Sequence, residues 1–357
     1  MDTLFHITGK GLITMLIPFP FIFALALSFF ISIIILAFSR LINAQDHHIG
    51  EKRAAHKTAT PRLGGIAIIL AIFAGLFMLE LPVKWELILA ISPIFIAGIM
   101  EDFHYSMHPY FRLCLGAISA GIFIYYTGTW LREINVPYVD PLLGYPAIGI
   151  SFTIIAIITL INSINMIDGI NGLASGKTLL MSVAIIALAN HFAEPNIVIL
   201  NALIFSAVLG FFMLNYPTGR VFMGDAGAYS LGFLIAISLI ILKSRHPQIS
   251  GWAILLIAFW PAMDMVHSIF RRLYKKTDAT RPDMMHFHHV LMRRIEIYSK
   301  GRIPRSWSNP CATAIILPMA AIPISIGFFF HMSSLICAIA AAFFLCLYSL
   351  AYSLMLR

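Results

Sequence analysis

Long runs of apolar residues alternate along this chain with short polar loops. A helix that crosses a bilayer needs about 20 mostly apolar residues, because its backbone must satisfy its own hydrogen bonds in lipid. The pattern therefore predicts an all-α polytopic membrane protein with about eleven transmembrane helices. Their approximate bounds are Met15–Ser39, Leu63–Leu81, Glu86–Met100, Phe111–Gly128, Ala147–Ile161, Leu173–Phe192, Ile197–Leu214, Tyr229–Leu242, Trp252–Phe270, Cys311–Phe330 and Ser333–Met355. The third and eighth are short, as is typical of tilted or partly re-entrant segments.

The composition agrees with this pattern and indicates one membrane domain. Hydrophobic residues make up 60% of the chain, charged residues 11%, and the mean hydropathy is +0.88. A soluble domain carries about 25% charged residues, so this chain is suited to a solvent other than water. Because apolar runs fill nearly the whole length, residues 1–357 are predicted to form a single integral membrane domain.

The distribution of basic residues predicts the orientation. Loops on one side hold 18 of the 24 Lys and Arg residues. The other side holds Lys10, Lys84, Arg132, Lys243 and Arg245. Because positively charged loops stay in the cytoplasm, we expect the N-terminus outside and the C-terminus in the cytoplasm. The same sorting accounts for the net charge of +8, so nucleic acid is not an expected partner.

With this topology, the clusters of polar residues lie at the cytoplasmic face. The first cluster, residues 46–65, is rich in basic residues, and Lys52 is best interpreted as a membrane anchor. Its last part, Thr60-Pro61-Arg62-Leu63-Gly64-Gly65, differs because proline fixes a helix start and paired glycines let a backbone or ligand approach closely. The second cluster is Glu101-Asp102. It stays open whether these two acids are solvated caps, or hold a divalent cation or act as a general base.

The third and fourth clusters combine acids and amides with glycine. Residues 162–172 read Asn-Ser-Ile-Asn-Met-Ile-Asp-Gly-Ile-Asn-Gly directly after an apolar run. A turn accounts for Asn and Asp there, but so many polar groups beside a bilayer favour a binding function. The fourth cluster, Gly224-Asp225-Ala226-Gly227, leads into a helix. Such a helix start offers free backbone amides to a phosphate, while Asp225 can bind a metal ion.

The fifth cluster is formed by histidines, at positions His286, His288 and His289. Zinc ranks low as their ligand, because no cysteine and no well-spaced fourth ligand accompany them. Imidazoles flanked by Arg281, Arg293 and Arg294 better suit an anionic diphosphate.

One further acid, Asp264, lies inside the ninth apolar run. An acid within a membrane segment favours a function by default. Capping of a helix break at Pro261 is the alternative for this residue.

In order and spacing, the clusters from about residue 46 to residue 289 resemble the polyprenyl-phosphate N-acetylhexosamine-1-phosphate transferases. That superfamily includes the phospho-MurNAc-pentapeptide translocase and enzymes that initiate O-antigen, enterobacterial common antigen and teichoic acid synthesis. The positions that match its motifs are Arg53, His56, Thr60, Pro61, Gly64, Gly65, Glu101, Asp102, Asn162, Asn165, Asp168, Gly169, Gly224, Asp225, Gly227, Asp264, His286, His288 and His289. Two departures matter. Glu101 stands where the family has the first Asp of a pair, and Asn171 where it has a second Asp linked to the nucleobase pocket.

The resemblance implies a Mg²⁺- or Mn²⁺-dependent enzyme with a cytoplasmic active-site cleft, in the bacterial inner membrane. It would transfer an N-acetylhexosamine 1-phosphate from a UDP-sugar to undecaprenyl phosphate, release UMP, and initiate a lipid-linked glycan such as the O-antigen of lipopolysaccharide. The implied catalytic residues are Asp102, Asp168 and Glu101, and the implied metal ligands are Asp225 and Asp168. Substrate contacts are expected from Arg53, His56, Lys57, Thr60, Asn162, Asn165, Asn171, Gly224, His286, His288 and His289.

Other functions compete with this one. Glu101 and Asn171 make the muramyl-pentapeptide substrate of peptidoglycan synthesis less favoured. A secondary transporter would place acids near the middle of the bilayer on broken helices, whereas here only Asp264 lies deeper than a helix end. The retained Gly-Asp-Ala-Gly and histidine clusters disfavour an inactive scaffold. The sequence leaves open which sugar is used and whether the protein is a homodimer.

Overall fold

The computed structural model describes residues 19–38, 60–79, 84–105, 107–275 and 285–356. The elements in these ranges are fourteen α-helices, which confirms the all-α prediction for this part of the chain. Their bounds are α1 Phe19–Phe38, α2 Gly64–Met78, α3 Lys84–Asp102, α4 Pro109–Thr127, α5 Asp140–Leu143, α6 Pro146–Ile167, α7 Leu173–His191, α8 Pro195–Asn215, α9 Gly224–Arg245, α10 Gly251–Ile257, α11 Phe259–Lys275, α12 Phe287–Tyr298, α13 Arg305–Phe329 and α14 Ser334–Leu356.

The lengths and composition of these helices are those of a polytopic membrane protein. Within the described ranges, 8 helices (α1, α4, α6, α7, α8, α9, α13 and α14) are long and apolar enough to cross a membrane, or up to 9 if α10 and α11 form one span. The predicted number of eleven is not confirmed by the described ranges. Helix α2 has only 15 residues, and α3 carries charged residues at both ends, among them Lys84 and Asp102. The orientation across the membrane stays a prediction.

The ninth predicted segment, Trp252–Phe270, is broken rather than continuous. Helices α10 and α11 meet at Ala258 with a bend of 86°. Pro261 explains the position of the break, because proline has no N–H for the carbonyl of Ile257 and its ring clashes with that carbonyl. The predicted segment is therefore a broken span or a re-entrant pair of helices, and the break places Asp264 near the start of a new helix.

Helix α9 is the centre of the described bundle. It runs for 22 residues and is longer than the short eighth segment predicted from its apolar run. Its membrane-length window is 89% buried, and it packs against α2, α3, α6, α7, α8 and α10.

Glycines let the start of α9 lie very close to its neighbours. Gly65 of α2 contacts the backbone of Gly227, and Gly98 of α3 contacts the backbone of Ala226. Helices in lipid associate mainly by van der Waals packing, so small residues at the crossing point are the usual solution. The functional clusters are thus brought together by close backbone contacts.

We predict that Gly98→Ala destabilises the fold while Gly121→Ala does not. A Cβ at Gly98 would lie 2.7 Å from the carbonyl carbon of Asp225, whereas a Cβ at Gly121 would meet nothing within 4 Å. Overpacking of this kind costs about 1–3 kcal/mol, and replacing an unhindered helical glycine stabilises by about 0.5–1 kcal/mol. Melting temperatures of the two purified variants in detergent test this. Equal melting temperatures would contradict the close packing of α3 on α9.

Candidate active site

The Thr60–Gly65 cluster is hydrogen-bonded to the segment that precedes α9. The N–H of Phe222 donates to the carbonyl of Pro61 at 2.9 Å, and the N–H groups of Gly64 and Gly65 donate to the carbonyls of Phe222 and Met223 at 3.0 and 2.7 Å. These bonds use the backbone donors at the start of α2, which have no partner within their own helix. The first and fourth clusters therefore form one unit.

Asp102, the last residue of α3, caps the start of α9. Its Oδ1 accepts from the N–H of Asp225 at 2.7 Å, and its Oδ2 accepts from the N–H of Ala226 at 3.0 Å. The side chain is 2% exposed. A negative charge at a helix N-terminus is favoured by the free N–H groups and by the helix dipole. Asp102 therefore joins α3 to α9 through two buried hydrogen bonds.

Gly224 is required for this arrangement. Its φ is +74°, in the left-handed region, and a Cβ there would lie 2.6 Å from each carboxylate oxygen of Asp102. Its own N–H donates to the carboxylate of Asp168. The N–H groups of three successive residues, Gly224 to Ala226, thus bond to carboxylates, so the prediction that this helix start offers free amides to a phosphate is wrong.

Asp225 and Asp168 lie close to each other at the same helix start. Asn165 donates from Nδ2 to Oδ1 of Asp225 at 2.6 Å, and a guanidinium nitrogen of Arg62 lies 3.5 Å from that oxygen. Burial raises the pKa of Asp168 to about 7, with Arg62 opposing the rise and Asp225 adding to it. Repulsion between the two acids and loss of water both disfavour the ionised form.

Glu101 does not face α9. Its side chain contacts the loop after α3. Its Oε1 accepts from the N–H of Met107 at 3.2 Å and lies 3.6 Å from the guanidinium of Arg112. The two adjacent acids therefore have different surroundings. The catalytic role assigned to Glu101 stays a prediction.

The third cluster forms a turn held by buried amides. Asn171 donates from Nδ2 to the carbonyl of Pro217 at 2.7 Å, and its N–H donates to Asn309 at 2.8 Å. Asn215 accepts from the N–H of Gly172 at 2.8 Å and donates to the carbonyl of Val221 at 2.8 Å. The Asn171 side chain thus supports the turn that presents Asp168, and its substrate contact stays a prediction.

The histidine cluster lies against the same turn. A Cβ at Gly169 would be 2.6 Å from Nε2 of His288 and 3.1 Å from Nε2 of His289. The ring centroids of His288 and His289 are 4.1 Å apart. His288 is buried, its Nε2 has no hydrogen-bond partner, and desolvation holds its pKa well below the usual range. Gly169 therefore lets the fifth cluster reach the third.

The described site residues fall into two neighbouring groups. The group at the start of α9 contains Asp102, Asn165, Asp168, Gly224 and Asp225. The second group contains His286, His288 and His289. Thr60 is buried at the edge of the first group. Asn162 donates to the carbonyl of Ile158 in its own helix. Arg53, His56 and Lys57 lie outside the described residues, and all the substrate roles stay predictions.

Three residues at the site were missed from the sequence. Arg62 belongs to the Thr60–Gly65 cluster, and its guanidinium lies 3.5 Å from Asp225. Its positive charge in a cluster at the site was the available signal. Lys177 is 1% exposed, and its ammonium lies over the ring of Trp260, 4.4 Å from the centroid. A lysine inside an apolar helix is itself a signal of a nearby acid or ring. Tyr348 contacts Asp264 from the last helix, and no sequence signal identified it.

The acids present suit a hard divalent cation only in part. Among the described residues, no group of three or more His, Cys, Asp and Glu side chains is arranged to hold a metal ion. Mg²⁺ is commonly bound by one or two carboxylates, with water and substrate phosphates completing its shell. Asp168 and Asp225, two neighbouring carboxylates at the helix start, fit that mode of binding.

Comparison with known proteins points to the same family as the sequence motifs. The sequence profile described as glycosyl transferase family 4 matches residues 85–243. An undecaprenyl-phosphate alpha-N-acetylglucosaminyl 1-phosphate transferase of Haemophilus influenzae is 31% identical over 253 residues, covering 68% of this chain and 70% of the relative. A probable enzyme of the corresponding name in Bacillus subtilis is 28% identical over 249 residues, covering 67% and 68%. A phospho-N-acetylmuramoyl-pentapeptide-transferase of Campylobacter jejuni is 27% identical over 314 residues, covering 76% and 86%.

The fold and site define a multi-pass membrane transferase with clustered carboxylates at one end of its helical bundle. The chain belongs to the superfamily of polyprenyl-phosphate N-acetylhexosamine-1-phosphate transferases. The resemblance inferred from the five clusters is confirmed.

We predict that Asp102→Asn lowers the stability of the protein more than Glu101→Gln. An asparagine at position 102 turns an NH₂ group toward a backbone N–H of α9 and leaves that buried donor unsatisfied, at a cost of about 1–3 kcal/mol. Glu101 accepts one longer hydrogen bond at a less buried position. Melting temperatures of both variants provide the measurement. An unchanged melting temperature for Asp102→Asn would contradict its role as a cap.

Proposed function

We propose that this protein transfers an N-acetylhexosamine 1-phosphate from a UDP-sugar to undecaprenyl phosphate and releases UMP. The observation that carries the proposal is the meeting of Asp168, Asp225 and Asn165 at the start of α9, beside the guanidinium of Arg62. The names of several relatives support N-acetylglucosamine as the first sugar to test. Initiation of a lipid-linked surface glycan such as O-antigen is the proposed context.

The reaction must bring two anions together. An oxygen of the lipid phosphate attacks the phosphorus bonded to the sugar, a new P–O bond forms, and the bond to the UMP oxygen breaks. The lipid phosphate has a second pKa near 6 and is largely a dianion at neutral pH. A general base therefore helps but is not essential, and we propose direct attack without a covalent enzyme intermediate.

Of Asp102 and Asp168, two of the three implied catalytic residues, Asp168 is the better placed to act as a base. Both oxygens of Asp102 already accept backbone N–H groups of α9. Asp168 accepts one backbone N–H, from Gly224, so its carboxylate keeps acceptor positions for a substrate group, as a base must be within hydrogen-bond reach of the proton. We assign Asp102 to holding the helix start, and Asp168 to orienting or deprotonating the acceptor.

Asp168 and Asp225 would hold Mg²⁺ together with oxygens of the diphosphate. Such an ion, when bound, supplies positive charge to the diphosphate and to the departing UMP. The chain's own residues have separate tasks. Asn165 orients Asp225 through its amide, Arg62 offsets negative charge beside it, and the histidines bind the diphosphate from the side of Gly169.

An apolar groove provides a place for the lipid tail. A cavity of about 390 Å³ lies between α6, α9, α10 and α11. Residues that line it include Phe152, Ala156, Leu160, Leu239, Trp252 and Ala262. Ala262 is two residues from Asp264, and Leu160 is about two turns from Asp168, so the groove leads toward the active-site end. We propose that the polyprenyl chain lies here.

The activity test uses purified protein in detergent with Mg²⁺, undecaprenyl phosphate and a panel of UDP-sugars, and measures UMP release. We expect release with at least one UDP-N-acetylhexosamine, and loss of release on chelation. Asp225→Asn should reduce turnover by about 10²-fold or more, because it removes a charge at the reacting phosphates.

Glu133→Gln is the matched control for Asp225→Asn. Glu133 is a carboxylate bonded to Lys243 at the opposite end of α9, so turnover should be retained. Folded wild-type protein that releases no UMP with any sugar would refute the proposal. Release only with a UDP-muramyl-pentapeptide would establish the alternative substrate.

The groove is tested by Ala156→Phe, with Ile155→Phe as its control. Phenylalanine at position 156 fills the proposed path of the tail, whereas Ile155 is 62% exposed on the outer surface of the same helix. We expect Ala156→Phe to raise the KM for undecaprenyl phosphate about tenfold, as the loss of about 1.4 kcal/mol of contact predicts. The KM for a short-chain polyprenyl phosphate should change much less. Equal effects on long and short acceptors would argue against the groove.

A further inference from the structure

Asp264 is a buried acid. Its two carboxylate oxygens contact residues 286–287 and Tyr348 of the distant helix α14. Asp264 lies in α11 and is 2% exposed. Its Oδ2 is 2.9 Å from Nδ1 of His286, and its Oδ1 accepts from the N–H of Phe287 at 3.0 Å and from the hydroxyl of Tyr348 at 2.6 Å. A buried carboxylate with three donors is well satisfied. Asp264 thus contacts the histidine cluster and not the carboxylate group at α9.

These contacts determine how His286 presents its ring. A carboxylate has no proton to donate, so the proton of this hydrogen bond is on Nδ1 of His286. Nε2 is therefore the ring nitrogen on the side away from Asp264. The ring of His286 is parallel to that of His288, with 5.6 Å between centroids and 6° between planes. Fixing one ring thus fixes the stack that reaches Gly169.

The C-terminal helix α14 also contacts the segment that carries the histidines. Tyr352 donates to the carbonyl of Met285 at 2.6 Å, and Arg271 of α11 donates to that carbonyl and to the Tyr352 hydroxyl, each at 2.7 Å. Arg294 of α12 donates to the carbonyl of Met355. Arg294 therefore fastens α12 to the end of α14, which corrects its expected place beside a diphosphate.

We infer that Asp264 and Tyr348 are positioning residues, which hold His286 with its Nδ1–H toward Asp264 and thereby set the geometry of the histidine cluster for the diphosphate. The inference rests on the proposed function for the identity of that ligand. The orientation of His286 itself stands on the hydrogen bonds alone. Helix α14, which lies beyond the residues matched by the family profile, thus supports the active site through Tyr348.

Asp264→Asn separates positioning from simple packing. The amide oxygen would keep the two fixed donors, Phe287 and Tyr348, because the backbone N–H has no alternative. The new NH₂ group would then face Nδ1 of His286 and donate to it. His286 would exchange its tautomer and carry its proton on Nε2. The shape of the side chain is unchanged, so a role in packing alone would leave the tautomer as it was.

The first experiment observes the tautomer directly. Histidine labelled with ¹⁵N is incorporated into the full chain in lipid nanodiscs, and His286→Gln identifies the His286 signals. We expect wild-type His286 to be protonated at Nδ1, and the Asp264→Asn variant to show a shift of that proton to Nε2. The same protonation pattern in both proteins would overturn the inference. This readout does not depend on enzyme activity.

The second experiment measures kcat/KM for the UDP-sugar. We expect Asp264→Asn to lose about 10²-fold, as small misplacements of binding groups do, and Tyr348→Phe to lose about tenfold. Tyr298→Phe is the matched control, since Tyr298 is 84% exposed on α12, and it should be unaffected. If Asp264→Asn does not fold, the tautomer is read in the wild type, where a proton on Nε2 of His286 would overturn the inference, and Tyr348→Phe carries the kinetic measurement. Unchanged kcat/KM in Tyr348→Phe would count against the inference, whereas an inactive wild type would count against the proposed function and leave the tautomer result valid.

Discussion

The hydrogen bonds from the start of α9 to Asp102 and Asp168 are the constraint on which the site depends. A buried helix start has backbone donors without partners, and each costs several kcal/mol when it is left unsatisfied in an apolar environment. In this protein the N–H groups from Gly224 to Ala226 donate to carboxylates of other helices. The requirement for satisfied donors thus also determines where the acids of the site lie.

This arrangement accounts for the glycines around it. Gly224 must be glycine because its backbone is left-handed and its Cβ would meet Asp102, and Gly98 must be small because α3 crosses the backbone of α9. Gly169 allows a similar close contact in the second group, because the absence of a side chain leaves room for the ring of His288. The glycines of the matched motifs are therefore explained by close contacts among the motifs, with no ligand needed.

The sequence predicted the helices and the composition of the site better than it predicted the bonds within it. Apolar runs and a proline are local signals, so the positions of most helices, and a disturbance near Pro261, could be recognised. The bond from Asp225 to Asp102 joins residues 123 positions apart, and nothing local distinguishes a capping acid from a catalytic one. For the same reason the free amides expected at Gly224 proved to be occupied, and Tyr348 was not identified.

The electrostatics of the two groups suit the two tasks that the proposed phosphate transfer assigns to them. Two unit charges 4 Å apart interact by about 4 kcal/mol at an effective dielectric constant of 20, so a diphosphate approaching Asp168 and Asp225 is repelled unless positive charge accompanies it. Arg62 supplies part of that charge beside Asp225. Asp264 acts differently, because it contacts Nδ1 of His286 at 2.9 Å and so orients the imidazole ring. In the proposed reaction, one set of acids would therefore hold a cation at the reacting phosphates, while a separate acid behind the histidines orients the imidazole ring that would meet the anion.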